Sequence, residues 1–325
     1  MARVPFNYRI TFKILGFLLF IEAFFMLVTA GIGYLYHEND LHIFLRSALY
    51  TFAAGLLLAA VGWRARSDIG KHESFVIVTL VWVLFSLFGS IPFHLSGSFS
   101  CYTDAFFESM SGFSTTGSSI LKDVETLSHP ILFWRSIIQW LGGLGIILLS
   151  LAIMPMIKFG SFQLFTAEFT GPVYEKLRPR LTETAKLMWF IYFGLTLAET
   201  VLLAIGPMDW FDAVCHSFTT MASGGFSTRN ASIGYWNSLY IETVITVFMF
   251  LAGTSFILMF WMLTGHFEKV KGNEEFRWYL IVVLGGSLLL AVLLFLLQDE
   301  APGQAVRDGV FHVVAIVTTT GFTTS

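Results

Sequence analysis

Three stretches of this chain set the same residue types at the same spacing. They run from Asp104 to Gly117, from Asp212 to Gly225 and from Asp308 to Gly321. In each, an Asp stands 13 residues before a Gly, and the residue two before that Gly carries a hydroxyl: Thr115, Ser223, Thr319. Internal repetition in register weighs against chance. The chemistry it points to is main-chain coordination of a cation. Glycine permits backbone angles that aim successive carbonyls one way, and such carbonyls replace an ion's hydration shell in carbonyl-ring filters. The candidate ligands are the carbonyls of Thr115, Thr116, Gly117, Ser223, Gly224, Gly225, Thr319, Thr320 and Gly321. A tight structural turn is the plain alternative. Asp104, Asp212 and Asp308 are read as helix N-caps in preference to ion ligands. Glu108, His216 and His312 stand four residues after each Asp. They are read as hydrogen-bonded helix residues rather than a transition-metal site. The serines in SGFS (111–114) and GGFS (224–227) lack a nucleophile-elbow context, so the chain is not read as an enzyme.

The elements that hold these stretches follow from composition. Of 325 residues, 55% are hydrophobic and 13% charged, with 35 Phe; an average soluble domain is about a quarter charged. Mean hydropathy is +0.72. This excludes an ordinary soluble enzyme and a disordered chain, and leaves an integral membrane protein. A net charge of −3 argues for no nucleic-acid partner. Cys101 and Cys215 make neither a disulfide scaffold nor a zinc cluster. Seven apolar runs, at about 12–36, 43–63, 75–95, 131–157, 187–206, 238–264 and 278–297, reach the roughly 20 residues that cross a bilayer as helix. The first is read as an uncleaved anchor. With the N-terminus cytoplasmic, inner segments hold 14 of the 19 basic residues, as the positive-inside bias requires.

All three Asp-to-Gly stretches then fall on the outer side. About ten apolar or small residues after each Asp give about 15 Å of helix, too short to cross. The pattern predicts re-entrant half-helices whose C-terminal, negative ends point to mid-membrane. A glycine turn at that depth is tolerated only where protein buries it or water lines it. The units enter from one side, unlike the inverted repeats of many secondary transporters. Within the fourth span, Gly142, Gly143 and Gly145 allow close packing or a kink; packing is preferred to a gating hinge, and Gly253 is read the same way. Arg135 is expected to snorkel outward or to pair with an outer carboxylate. The basic segment 158–186 stands open between a docking site for a cytosolic partner and topology-setting charge.

The segments STTGSS (114–119), ASGGFST (222–228) and TTTGFTTS (318–325) resemble the filter loops of the bacterial Trk/Ktr potassium-transporter superfamily. LGGLGIILLSLAIMP (141–155) and the two leading helices resemble its TrkH-type membrane subunit. The resemblance implies an all-α integral membrane fold, with repeated helix–half-helix–helix units around a pseudo-fourfold pore. Residues 1–70 would be two extra N-terminal helices, 71–157 and 158–264 two pore repeats, and 265–325 an incomplete third. The chain is expected to be a fragment lacking the third closing helix and the fourth repeat. Also implied are potassium as the transported ion, no covalent cofactor, a bacterial inner membrane, a homodimer, and a cytosolic nucleotide-binding TrkA-type ring. Some plant relatives carry Ser at the first filter glycine and pass sodium; Gly117, Gly225 and Gly321 therefore favour potassium. A proton- or sodium-coupled symporter is the alternative to a gated channel.

Overall fold

The computed structural model describes residues 7–65, 71–145, 181–297 and 301–324. They are helical, with no strand among the described residues. The chain divides into two units: Met1–Ser114 with Leu127–Trp189, and Thr115–Thr126 with Phe190–Ser325.

The first unit holds α1 (Tyr8–Leu35), α2 (Leu41–Val61), α3 (Lys71–Leu95), α4 (Tyr102–Phe113) and α5 (His129–Trp140). A π-helical turn, Leu141–Gly145, follows α5. Small residues let α1 and α2 meet backbone to backbone. A Cβ on Gly16 would lie 2.6 Å from the Gly55 carbonyl oxygen, and one on Gly62 would lie 2.5 Å from that of Arg9. The indole of buried Trp134 on α5 donates to the Gly89 carbonyl of α3 at 2.9 Å. That bond satisfies the ring's polar edge inside an apolar setting.

The helix α6 (Leu181–Ile205) leads into the second unit. Next come α7 (Trp210–Met221), a 3-10 turn Ser232–Trp236, α8 (Leu239–Ala252), α9 (Phe256–Leu263), α10 (Phe267–Lys271), α11 (Glu274–Leu297) and α12 (Pro302–Val317). Leu203, Ile241, Ile245, Met249, Phe311 and Phe322 belong to its buried core. By contrast α11 leaves Leu284, Leu288 and Leu296 largely exposed. An apolar helix that is exposed in this way suits a lipid solvent.

Among the described residues, five helices are long and apolar enough to cross a membrane: α1, α2, α11 and, from Val76 and Lys186, α3 and α6. The expected spans 131–157 and 238–264 are not continuous helices. The first passes from α5 into the π turn, and its residues beyond 145 lie outside the described residues. The second breaks between α8 and α9. Gly253 caps α8, and Ser255 leaves the helical region at φ −55°, ψ 132°. A Cβ on Gly253 would lie 2.8 Å from both Thr318 Cγ2 and the Tyr279 hydroxyl. Close packing therefore coincides with the break.

Candidate functional site

The three glycine turns share one backbone. Each short helix ends four residues before its glycine: α4 at Phe113, α7 at Met221, α12 at Val317. The next residue, Ser114, Ala222 or Thr318, is still right-handed. Thr115, Ser223 and Thr319 then turn left-handed, at φ 56°, 52° and 61°. Gly117, Gly225 and Gly321 are left-handed again, at 74°, 71° and 75°, and the residue between each pair is not. A non-glycine residue held left-handed costs about 1 kcal/mol or more, so finding three at equivalent positions marks a conformation the fold imposes.

The hydrogen bonds give the carbonyl direction. The amides of Gly224 and Gly225 both donate to the Thr219 carbonyl, at 2.9 and 3.4 Å. Gly321 donates to the equivalent Ala315 carbonyl at 3.1 Å. In a planar trans peptide the carbonyl opposes the N–H. The carbonyls of Ser223, Gly224 and Thr320 therefore point away from their half-helices.

The second and third turns also meet. A Cβ on Gly225 would lie 1.8 Å from the Thr320 carbonyl oxygen, so the second and third turns touch at main-chain atoms. The amides of Ile233 and Gly234 donate to the Thr323 carbonyl at 3.0 and 3.2 Å. Asn230 accepts from the Val124 amide at 2.8 Å, gives its own amide to Glu125 at 3.0 Å, and gives its side-chain NH2 to Asp123 at 2.7 Å. The segment after the first turn is thereby tied to the segment after the second.

Asp104, Asp212 and Asp308 do not cap the half-helices. Asp209 caps α7, accepting from the Asp212 amide at 2.7 Å. Cys101 and Ala301 occupy the cap positions of α4 and α12 without a side-chain bond. Asp104 and Asp212 are third residues of their helices, and Asp308 is the seventh of α12. Pro302, whose fixed φ suits the first turn, starts α12 early. At 16 residues it is about 24 Å long, against the ten residues expected.

Two of the three Asp instead brace the arm that leaves the turn. Asp212 accepts from Thr228 at 2.6 Å and from Arg229 Nε and Nη2 at 3.1 and 2.7 Å. Asp308 accepts from Thr324 at 3.2 Å and from Gln304 at 2.7 Å. Asp104 takes a bond from Ser100 at 3.3 Å. His216 bonds the Asp212 carbonyl through Nδ1 at 2.7 Å and Ser227 through Nε2 at 3.0 Å. His312 bonds Thr324 at 3.2 Å. Burial opposes the Arg229 charge, but hydrogen bonds and charge from Asp212 outweigh it and hold the guanidinium above its ordinary range. The Glu242 carboxylate, bonded to both Nε and Nη2 of Arg307, raises that guanidinium likewise.

In the first unit Glu108 and Arg135 form an ion pair at 2.9 Å, 0% and 2% exposed. Arg135 thus reaches a carboxylate, but a fully buried one. Gly142 packs on the end of α4: its Cβ would lie 1.9 Å from the Phe113 carbonyl oxygen. Gly143, at φ −54° and ψ −105°, kinks the π turn that Gly145 ends. Packing and kink therefore coexist. Most of the basic segment, 158–180, lies outside the described residues. The sequence reading missed the braces Thr228, Arg229, Asn230 and Thr324. A signal was present, since Thr stands three residues after the glycine in the second and third stretches.

A family model described as TrkH, cation transport protein, matches residues 42–325. The Trk system potassium uptake protein TrkH of Escherichia coli (strain K12) is 37% identical over 322 residues, 98% of this chain and 67% of that protein. TrkG of the same strain is 31% identical over 284 residues, 85% of this chain and 58% of that protein. The crystal structure of the potassium transporter TrkH from Vibrio parahaemolyticus matches with a TM-score of 0.86 at 33% identity, covering 98% of this chain and 66% of the other. This chain spans about two thirds of the length of the TrkH proteins it matches.

Proposed function

Because the chain belongs to the TrkH family of cation transport proteins, we propose that it lines a pore for potassium uptake. Main-chain carbonyls of Thr115–Gly117, Ser223–Gly225 and Thr319–Gly321 are the ion ligands. The observation that carries this reading is the thrice-repeated left-handed backbone, with carbonyls of the second and third turns aimed away from their helices. Oxygens held in this way stand in for water around a monovalent ion. Residues 1–70 are the accessory helices, 71–157 and 158–264 the first two pore repeats, and 265–325 belong to the third. The protein lies in a bacterial inner membrane with its N-terminus cytoplasmic, dimerises, and is gated by a cytosolic nucleotide-binding ring. The names of the TrkH relatives support potassium as cargo. Units repeated in one sense favour a gated channel over a coupled symporter. The test is rubidium uptake into vesicles carrying the protein. Fast uptake that potassium suppresses and sodium does not is expected; slow flux obligatorily tied to a proton or sodium gradient would overturn the channel reading.

A further inference from the structure

A second polar site lies behind the half-helix α7. Glu199 of α6 is 0% exposed. Among the described residues, no group hydrogen-bonds either of its carboxyl oxygens. An ionisable group buried within a membrane helix is expensive and calls for a ligand or a role. The neighbouring hydroxyls belong to Thr200 of α6 and to Ser217 and Thr220 of α7, all buried. Thr200 and Ser217 meet each other across the two helices. The Thr220 hydroxyl lies beside the carboxyl and interacts with it, short of full hydrogen-bond geometry.

The hydroxyl nearest the carboxyl, that of Thr220, has a helix carbonyl to take its proton. Thr220 donates to the His216 carbonyl at 2.7 Å, while Thr200 and Ser217 share their two protons among each other and the Thr196 and Val214 carbonyls. A hydroxyl has one proton to give. What remains for Glu199 is lone pairs. A carboxylate only accepts, so it finds nothing to bind there; a carboxylic acid carries the donor that Thr220 can accept. A metal ion would need a cage of oxygens, whereas of the three hydroxyls Thr220 is the one beside the carboxyl and Thr200 and Ser217 bond each other.

We propose that Glu199 is a proton-binding site, holding an exchangeable proton that is donated to the Thr220 hydroxyl behind the second glycine turn. Thr220 also accepts the Ser223 amide on its main-chain carbonyl, at 2.9 Å. One residue therefore joins the acid to the first residue of that turn. Tyr192, two turns earlier on α6 and fully buried, is a titratable group near Glu199. From α7, His216 lies one turn before Thr220 and is bonded to Asp212 and Ser227 instead. The site stands on the packing of α6 and α7; only its effect on ion flow rests on residues 223–225 being a filter.

Infrared difference spectra of the protein in bilayers, in H2O and D2O over a pH series, test the site without transport. The wild type is expected to show a protonated-carboxyl C=O band that shifts in D2O and disappears at alkaline pH. The band is absent in Glu199→Gln, and Glu199→Asp moves it. Glu22 of α1, the other fully buried carboxyl without a partner among the described residues, remains in every spectrum. Coincident wild-type and Glu199→Gln spectra would overturn the proposal, as would a band that appears only when potassium is removed. Rubidium uptake measured over the same pH series reads the consequence. Glu199→Gln is expected to lose the alkaline change in uptake that the wild type has, and an unchanged profile would refute the link to the turn. If neither protein takes up rubidium, the channel reading fails while the spectra still decide the proton site.

Discussion

Gly225→Ala and Gly321→Ala add the same methyl group to equivalent turns. Both glycines are left-handed, at φ 71° and 75°, so both substitutions carry a backbone strain of about 1 kcal/mol. Their surroundings differ. The new methyl at 321 meets nothing within 4 Å, whereas at 225 it would lie 1.8 Å from the Thr320 carbonyl oxygen. No side-chain rotation relieves a collision with main chain. Contact closer than 3.0 Å is not tolerated, so the Thr320 carbonyl must retreat by about 1 Å. That oxygen is a proposed ligand. A misplaced ligand that costs about 1.4 kcal/mol of potassium preference is a tenfold change. Gly225→Ala is therefore expected to lower the potassium-to-sodium permeability ratio about tenfold or more, and Gly321→Ala by severalfold less. Reversal potentials in planar bilayers measure both. Equal losses, or an unchanged ratio in Gly225→Ala, would refute the role given to the Thr320 carbonyl.

Gly142→Ala would drive a methyl into the Phe113 carbonyl and is expected to destabilise the first unit by about 1–3 kcal/mol, read as a lowered melting temperature in detergent. Glu108→Gln or Arg135→Met alone strands a buried charge or its partner and is expected to cost about 3–5 kcal/mol, while the double replacement is milder; a double-mutant cycle in thermal melts checks this. Asp209→Ala removes the α7 cap at about 1 kcal/mol. Asp104→Ala removes no cap, so an equal loss in the two variants would contradict the cap assignment.

The turns were legible because their requirement is local. A left-handed backbone shows in sequence as a glycine, and three glycines at one offset from a hydroxyl disclosed the repeat before any contact was known. Of the five described helices long enough to cross, three were legible from apolar length alone, and α3 and α6 from their apolar parts. The helix starts were not legible. Asp209 and Asp212 are equally good caps by type; register with Gly225 favoured Asp212, but the carboxylate that reaches the amide three residues on is that of Asp209. The break at Gly253 was hidden because composition alone does not distinguish a continuous apolar helix from two short ones. Packing against Thr318 and Tyr279, more than 25 residues away in sequence, accompanies it. The Arg135–Glu108 and Arg229–Asp212 pairs were hidden for the same reason, since partner choice is a tertiary property.

Anomalous diffraction from crystals grown with rubidium in place of potassium tests the central claim most directly. A peak ringed by main-chain oxygens of residues 115–117, 223–225 and 319–321 is the predicted result. Rubidium bound only at outer carboxylates such as Asp123 and Glu125, with none against the three glycine turns, would contradict it.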